Sequence, residues 1–343
     1  MLFAIIKGRF HFFNFFIPSG AERSLNLFEQ YLLAFERTRI RERCFTAFNM
    51  TIGKLALINV VYENYTVLDG FLDSLRKQTN KNYFLYNIDV SPQRKIIKLD
   101  GIAGITIPAK NKGYAHGINC GLKNALKDGY KYFCILNNDI YFEEDFVKKC
   151  IKSTSSHVSA IIGGKIYYAP GYEYHQNRYK KSDLGKIIWY AGGFVDWNHA
   201  MTPHIGVDEI DKGQFDKFKK IDFVNGSLML YDKSVHEKIG FWNESYFLYF
   251  EDADFCVRAK RAGINLYFDP SIVIWHKISQ STGGSGSPIH QKFQNKNRLK
   301  FGLKYAPFRT KLHLLKNYLL NQYHSAPARL NETDRRSWDA ESI

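Results

Sequence analysis

The chain has 343 residues, 45% hydrophobic, 16% aromatic and 24% charged, with a formal net charge of +15. These proportions exclude a core-less polar chain and allow one large or two ordinary domains. The positive charge is diffuse, with no long Lys/Arg block and no nucleic-acid motif, which excludes nucleic acid as the expected partner and favours anionic small molecules or lipid headgroups.

In chain order, Met1–Ile17 is rich in Phe and Ile but broken by Lys7, Arg9, His11 and Asn14, so it is too short and too polar to span a bilayer. Leu25–Phe35 then sets Phe28, Tyr31, Leu32 and Phe35 at helical spacing, followed by Arg37, Arg39, Arg41 and Arg43. Residues 1–49 thus read as an aromatic, basic helical extension. Three readings stay open for it: a membrane-surface segment, an extra helix packed on the main domain, or residues outside the working protein. Residues 50–288 form the expected main domain, 289–320 a basic helical segment and 321–343 a polar tail.

From Lys54 onward strand and helix alternate. Leu55–Val61, Tyr83–Val90, Gly104–Ile107 and Lys131–Leu136 read as strands, and Val67–Gln78 and Ile118–Lys127 as helices. That alternation predicts an α/β fold with a mainly parallel sheet flanked by helices, its ligand beyond the carboxyl ends of the strands. Further on, Ala160–Tyr168, Trp189–Val195 and Ile221–Tyr231 read as strands and Ser234–Ile239 as a short helix. Gly171–Lys186 and Ala200–Lys219 read as loops. Phe255, Ala259 and Ala262 share a helical face that Gly263 ends, and Gly283–Ser287 reads as a flexible loop. The five cysteines, Cys44, Cys120, Cys134, Cys150 and Cys256, are odd in number and lack CxxC spacing, which predicts buried thiols in a reducing compartment.

Three constellations carry chemistry. Asn137-Asn138-Asp139 ends the apolar run Phe133–Leu136. A carboxylate there can take sites on Mg²⁺ or Mn²⁺ while diphosphate oxygens fill others, although Asn-Asn-Asp is also a common turn sequence. Asn111–Asn119 is Gly-rich and opens a helix, where amides can approach phosphate; it lacks the dinucleotide and Walker spacings, and a plain structural loop is the competing reading. Glu251, Asp252 and Asp254 follow the apolar Tyr246–Phe250, with His276 placed 24 residues after Asp252. The acids suit a helix N-terminus in any case, but an apolar approach raises the cost of idle charge. His276 reads equally as a satisfied core histidine.

The motifs taken in order resemble inverting family-2 glycosyltransferases of the GT-A fold, in the branch with bacterial rhamnosyltransferases and O-antigen or capsule enzymes. The resemblance spans about Leu55 to Tyr305: the strand Leu57–Tyr62, Arg76–Thr79, Ile88-Asp89, Asn111 to Asn119, Asn137-Asn138-Asp139, Gly192-Gly193, Val224–Ser227, the acidic segment after Tyr246, His276 and Lys296-Asn297-Arg298. It implies a GT-A-type sheet with extra helical ends. By position it places Tyr62, Glu63 and Asp89 around the nucleotide base and ribose. Asn111, Gly113, Asn119, Asn137, Asn138, Asn225 and Gly226 then line the donor site, and Asp139 and His276 hold Mg²⁺ or Mn²⁺. Asp252 matches the general base, with Glu251 beside it. Two positions depart from the family: Asn137 stands where Asp is usual, and Val90-Ser91-Pro92-Gln93 replaces the usual Asn-x-Ser-x-Asp.

The implied partners are a nucleotide-sugar donor, UDP- or dTDP-linked, and a glycan or lipid-linked glycan acceptor, with membrane-surface contact and a cytoplasmic location at the inner face of the cell membrane. Closure of the Gly283–Ser287 loop over the donor is a further expectation. The rival readings are a sugar nucleotidyltransferase and a non-catalytic carbohydrate- or membrane-binding protein.

Overall fold

A computed structural model describes residues 2–6, 9–13, 53–278 and 288–319. Contacts divide the chain into two units, Met1–Met50 and Thr51–Ile343. In the first, β1 (Leu2–Ile6) and β2 (Arg9–Phe13) pair antiparallel, Leu2 opposite Phe13. The expected helix Leu25–Phe35, the loop Gly283–Ser287 and the tail 321–343 lie outside the described residues.

The second unit opens with β3 (Leu55–Val61), an apolar run buried on both faces, as a central parallel strand requires. Then come α1 (Leu68–Arg76), β4 (Tyr83–Asp89), β5 (Gly104–Pro108), α2 (Tyr114–Lys127) and β6 (Tyr132–Leu136). The order β5-β4-β3-β6 is parallel throughout. The chain steps outward from β3 to β5 and then returns to the other side of β3. That reversal makes a switch point, where a crevice opens beyond the strand ends. α2 lies close on the sheet because Gly117 and Gly121 face Val60 and Ile58; a Cβ at either glycine would come within 2.7 and 2.4 Å of those side chains.

After β7 (Ile140–Tyr141) and α3 (Phe146–Ser156), the sheet continues with β8 (Ala160–Tyr168) and β9 (Ile188–Tyr190). Next are β10 (Lys219–Ile221), β11 (Leu228–Asp232), α4 (Lys233–Ile239), α5 (Glu251–Arg261) and β12 (Asn265–His276). β11 runs antiparallel between β6 and β8, and β12 parallel to β8, giving a ten-stranded mixed sheet. The expected strand Trp189–Val195 is shorter, and residues 222–227 are loop rather than strand. α6 (Pro288–Tyr305) and α7 (Phe308–Leu319) follow, separated where Pro307 interrupts the basic helical run. Cys134, Cys150 and Cys256 are buried free thiols and Cys120 is partly buried.

Candidate active site

The parallel half ends in a shallow pocket of about 320 Å³, lined by Tyr62, Val90, Ser91, Pro92, Arg94, Ala109, Lys110 and Asn111. Tyr62 is half-exposed at the tip of β3. Glu63 beside it holds a left-handed φ of 55°, its N–H donating to Ser91 Oγ at 2.8 Å. Asp89 is buried and turned into the protein, where its carboxylate accepts from Tyr65 Oη at 2.9 Å and from the Ser91 N–H at 2.9 Å. Asp89 therefore shapes the rim. Ser91, Arg94 and Lys110, which sequence reasoning did not single out, supply its polar and cationic lining; only their place just after strand ends marked them.

A second group forms where β6 and β12 end. β7 pairs with β12 so that His276 stands opposite Ile140, and the Lys277 N–H donates to the Asp139 carbonyl at 2.8 Å. This pairing brings His276 Nε2 to 2.9 Å from Asp139 Oδ1, both side chains being buried. Oδ1 receives no well-aligned hydrogen bond, and neither does the buried His276 Nδ1. Side chains set side by side in this way, without pointing at each other, would suit two ligands of one cation. Burial pushes the Asp139 carboxyl up, but His276 and Lys277 pull it down further, so it stays below the ordinary aspartate range. A carboxylate and an imidazole fit Mg²⁺ or Mn²⁺ as two protein ligands. Among the described residues no group of three or more His, Cys, Asp or Glu side chains gathers for a metal; the remaining positions on an ion held by this pair would fall to other oxygens.

The third group is Glu251-Asp252 at the start of α5. Asp252 Oδ2 accepts from the Gly226 N–H at 3.0 Å and Oδ1 from the Ala253 N–H at 2.8 Å. Burial raises the Asp252 carboxyl, partly offset by those two donors. Burial and the Asp252 charge raise Glu251 much further, and Glu251 Oε2 has no hydrogen-bond partner. Of two adjoining carboxyls, the more deeply buried one with the weaker set of donors keeps the proton. Asp252 is thus the anion of the pair, with a basicity above that of an ordinary aspartate.

Tyr114 links the groups, and sequence reasoning missed it. Its hydroxyl lies 3.0 Å from Asn137 Oδ1 and 3.1 Å from the Gly226 carbonyl. Burial first, then Glu251, Asp252 and Asp139, hold it protonated. Asn137 Nδ2 in turn donates to Ser227 Oγ at 3.0 Å and faces His276 Nε2 at 3.3 Å. Polar contacts thus tie His276, Asn137 and Tyr114 to the Gly226 backbone, whose N–H holds Asp252; the one Tyr114 proton is shared between Asn137 Oδ1 and the Gly226 carbonyl. Asn138 is buried beside it. Asn225 shapes the 225–227 turn by accepting from the Ser227 N–H at 2.8 Å, and faces His204, whose imidazole burial pushes down to about 4. Asn119 stands apart: it is buried and spans to the Trp242 backbone and Glu244. Gly113, at φ 100°, lies so near Phe247 that a Cβ would come within 2.2 Å of its carbonyl oxygen.

The backbone that presents Asp252 is strained. Tyr249 and Phe250 both have φ 69°, a left-handed conformation unfavourable for bulky residues. α6 holds it. Buried Asn297 donates to the carbonyls of Leu248 at 2.7 Å and Tyr249 at 3.0 Å, and Phe301 packs against Phe250 with ring centroids 5.4 Å apart. Asp254, two residues after Asp252, plays a different part. It is wholly buried and bonded to Arg258 at 2.8 Å, Lys304 at 2.8 Å and Tyr305 Oη at 2.7 Å. Burial raises its carboxyl, but these partners bring it below the ordinary value.

The sequence profile of glycosyl transferase family 2 matches residues 57–240, more than half of the chain. The chain belongs to glycosyl transferase family 2. This family-2 glycosyltransferase is 27% identical over 189 residues to the low-salt glycan biosynthesis hexosyltransferase Agl10 of Haloferax volcanii, a match covering 54% of this chain and 56% of the relative. It is 21% identical over 196 residues to the dTDP-rhamnosyl transferase RfbF of Shigella flexneri, covering 56% and 58%. The chain thus spans little more than half the length of these curated relatives. In fold the glycosyltransferase resembles GalNAc-T7, solved with UDP, GalNAc and Mn²⁺, with a TM-score of 0.57 at 13% identity, covering 83% of this chain and 54% of that one. The architecture is accordingly of the GT-A type. Asp252, His276 and the whole of α6 lie beyond the family match.

Proposed function

We propose that this glycosyltransferase moves a hexosyl or deoxyhexosyl unit from a nucleotide-diphosphate donor to a hydroxyl of a glycan or lipid-linked glycan, with inversion at the anomeric carbon, in surface polysaccharide synthesis. The observation that carries this reading is the placement of Asp252. It is the charged partner of a buried carboxyl pair, fixed by two backbone donors, and it is wired through Tyr114 to the Asp139–His276 pair.

Asp252 takes the proton of the acceptor hydroxyl as that oxygen forms its bond to the anomeric carbon. The bond from that carbon to the diphosphate oxygen breaks, and its electron pair leaves with the nucleotide. Protonated Glu251 adds no second negative charge beside the base. Tyr114 and the Gly226 N–H hold the angle of the base to the donor. Asp139 and His276 would hold Mg²⁺ or Mn²⁺, which when bound supplies positive charge to the departing diphosphate. The pocket between Tyr62, Arg94 and Asn111 takes the nucleotide in this reading, and a UDP- or dTDP-linked donor accords with the names of the relative and the structural neighbour. Work on a lipid-linked acceptor would keep the enzyme peripheral at the inner membrane face; among the described residues no helix is long and apolar enough to cross a membrane.

The test is a thermal-shift panel of UDP-, dTDP- and GDP-sugars with Mn²⁺ or with EDTA, followed by NMR of the product's anomeric proton. A rise in Tm for one nucleotide that EDTA removes, and a product of inverted configuration, are expected. A retained configuration would remove Asp252 from the role of base, and a shift indifferent to EDTA would remove the metal.

A further inference from the structure

α7 carries two apolar faces, and among the described residues only one is packed. Leu314 and Thr310 are buried; Leu314 packs on Gly302 of α6, and Thr310 Oγ1 donates to the Trp197 carbonyl at 2.9 Å. On the far side Phe308, Leu312, Leu315 and Leu319 are 73%, 51%, 39% and 78% exposed. At about 100° per residue these four fall within an arc of roughly 60°. Arg309 and Lys316 flank one edge of this stripe and Lys311 the other. A helix that is apolar along a narrow exposed stripe and basic on both shoulders has the pattern of one lying in a headgroup layer.

The surrounding charge decides what the stripe meets. Residues 288–319 contain eight Lys/Arg and no Asp or Glu. A second copy of the chain meeting this face across a two-fold axis would set that basic surface against itself. An anionic surface answers both the charge and the apolar stripe.

We propose that α7 docks on an anionic lipid surface, burying Phe308, Leu312, Leu315 and Leu319 among the acyl chains while Arg309, Lys311 and Lys316 meet the headgroups. The site goes beyond the transfer chemistry and does not depend on it, since vesicle binding is read without donor or acceptor. α6 runs directly into α7 and also carries Asn297, so the docked helix sits one element away from the residue that holds the backbone before Asp252.

The full chain is tested by co-sedimentation with vesicles of phosphatidylglycerol and phosphatidylcholine, against phosphatidylcholine alone, with light scattering on the same samples. Binding to the anionic vesicles that weakens with salt is expected. The double variant Leu312→Glu/Leu315→Glu should lower it about tenfold or more at unchanged circular dichroism. A second variant, Arg309→Glu/Lys316→Glu, changes only exposed charges and gives an independent reading should the first misfold; it too should lower binding. Three outcomes overturn the proposal. The wild-type chain ignores anionic vesicles, as it would if its own residues beyond Leu319 cover the stripe. Both variants bind as well as the wild type, which puts any contact elsewhere in the chain. Or the protein is a dimer that Leu312→Glu/Leu315→Glu dissociates, which gives the face to a second copy.

Discussion

The two halves of the sheet are built on opposite plans. From β3 to β6 the chain follows local rules: apolar runs make strands, helices return overhead, and polar residues follow the strand ends. From residue 222 to Tyr305 little is local. The carboxylate at Asp252 stands on a backbone with two successive left-handed residues, and α6 holds that backbone from about fifty positions away. A rim that only has to be present can rest on regular structure. A group that must sit at one angle is here placed by a conformation the chain would not adopt unaided, which distant hydrogen bonds make stable.

The contrast is sharpened most by removing the proposed base. Asp252→Asn should leave the fold and nucleotide binding intact and lower transfer by about 10²–10⁴-fold, read as turnover beside an unchanged melting curve. In the wild type, transfer should fall with acid through an apparent pKa above that of ordinary aspartate, because burial raises Asp252; a profile flat down to the ordinary value would dissociate burial from basicity. Asp254→Ala, two residues on, should do the reverse. It strands Arg258 beside Lys304, and unfolding in urea should show a loss of about 3–5 kcal/mol.

Acid gives the same distinction with its sign fixed. The folded pKa of Asp254 is lowered, so its contribution to stability is complete above the unfolded value of about 3.9. That contribution is lost as pH falls through the lower folded value, and Asp254→Asn should flatten this part of the stability curve. Asn297→Ala comes next. It frees two carbonyls beside the strained pair and should lower kcat about tenfold at little changed KM, with about 1–3 kcal/mol of stability lost. Equal loss in kcat and KM would make Asn297 a packing residue only. Tyr114→Phe should be the mildest, about 1 kcal/mol in the barrier, since Asn137 keeps its bond to Ser227.

Much of the parallel half was legible. Leu55–Val61 follows from a mostly apolar run with the bounds observed, and so does Ala160–Tyr168 in the mixed half, although Asn59 and Lys165 interrupt them. α3 was missed because Ser153 and Thr154 stand on its buried face and dilute the apolar pattern, and β7 because two residues carry no periodicity. The acidic trio was visible, but its division of labour was not. Asp252 and Asp254 are told apart mainly by distant groups that reach them, Gly226 in one case and Lys304 with Tyr305 in the other, none of them near in sequence. The meeting of Asp139 with His276 rests on the β7–β12 pairing, a register no local pattern encodes. Asn119 looked like part of a phosphate loop because its neighbours are glycines; its side chain instead secures Trp242.

The contact of Gly113 with Phe247 bears on how such an enzyme can diversify. If the proposed roles hold, substitutions around Tyr62 and Arg94 would change the preferred donor without consequence for Asp252. At residue 113 that freedom ends: any side chain would displace the segment leading to Asp252 together with the loop containing Asn111. Under the proposed function, selection acting there would see substrate choice and rate as one trait, while a few residues away it would see two.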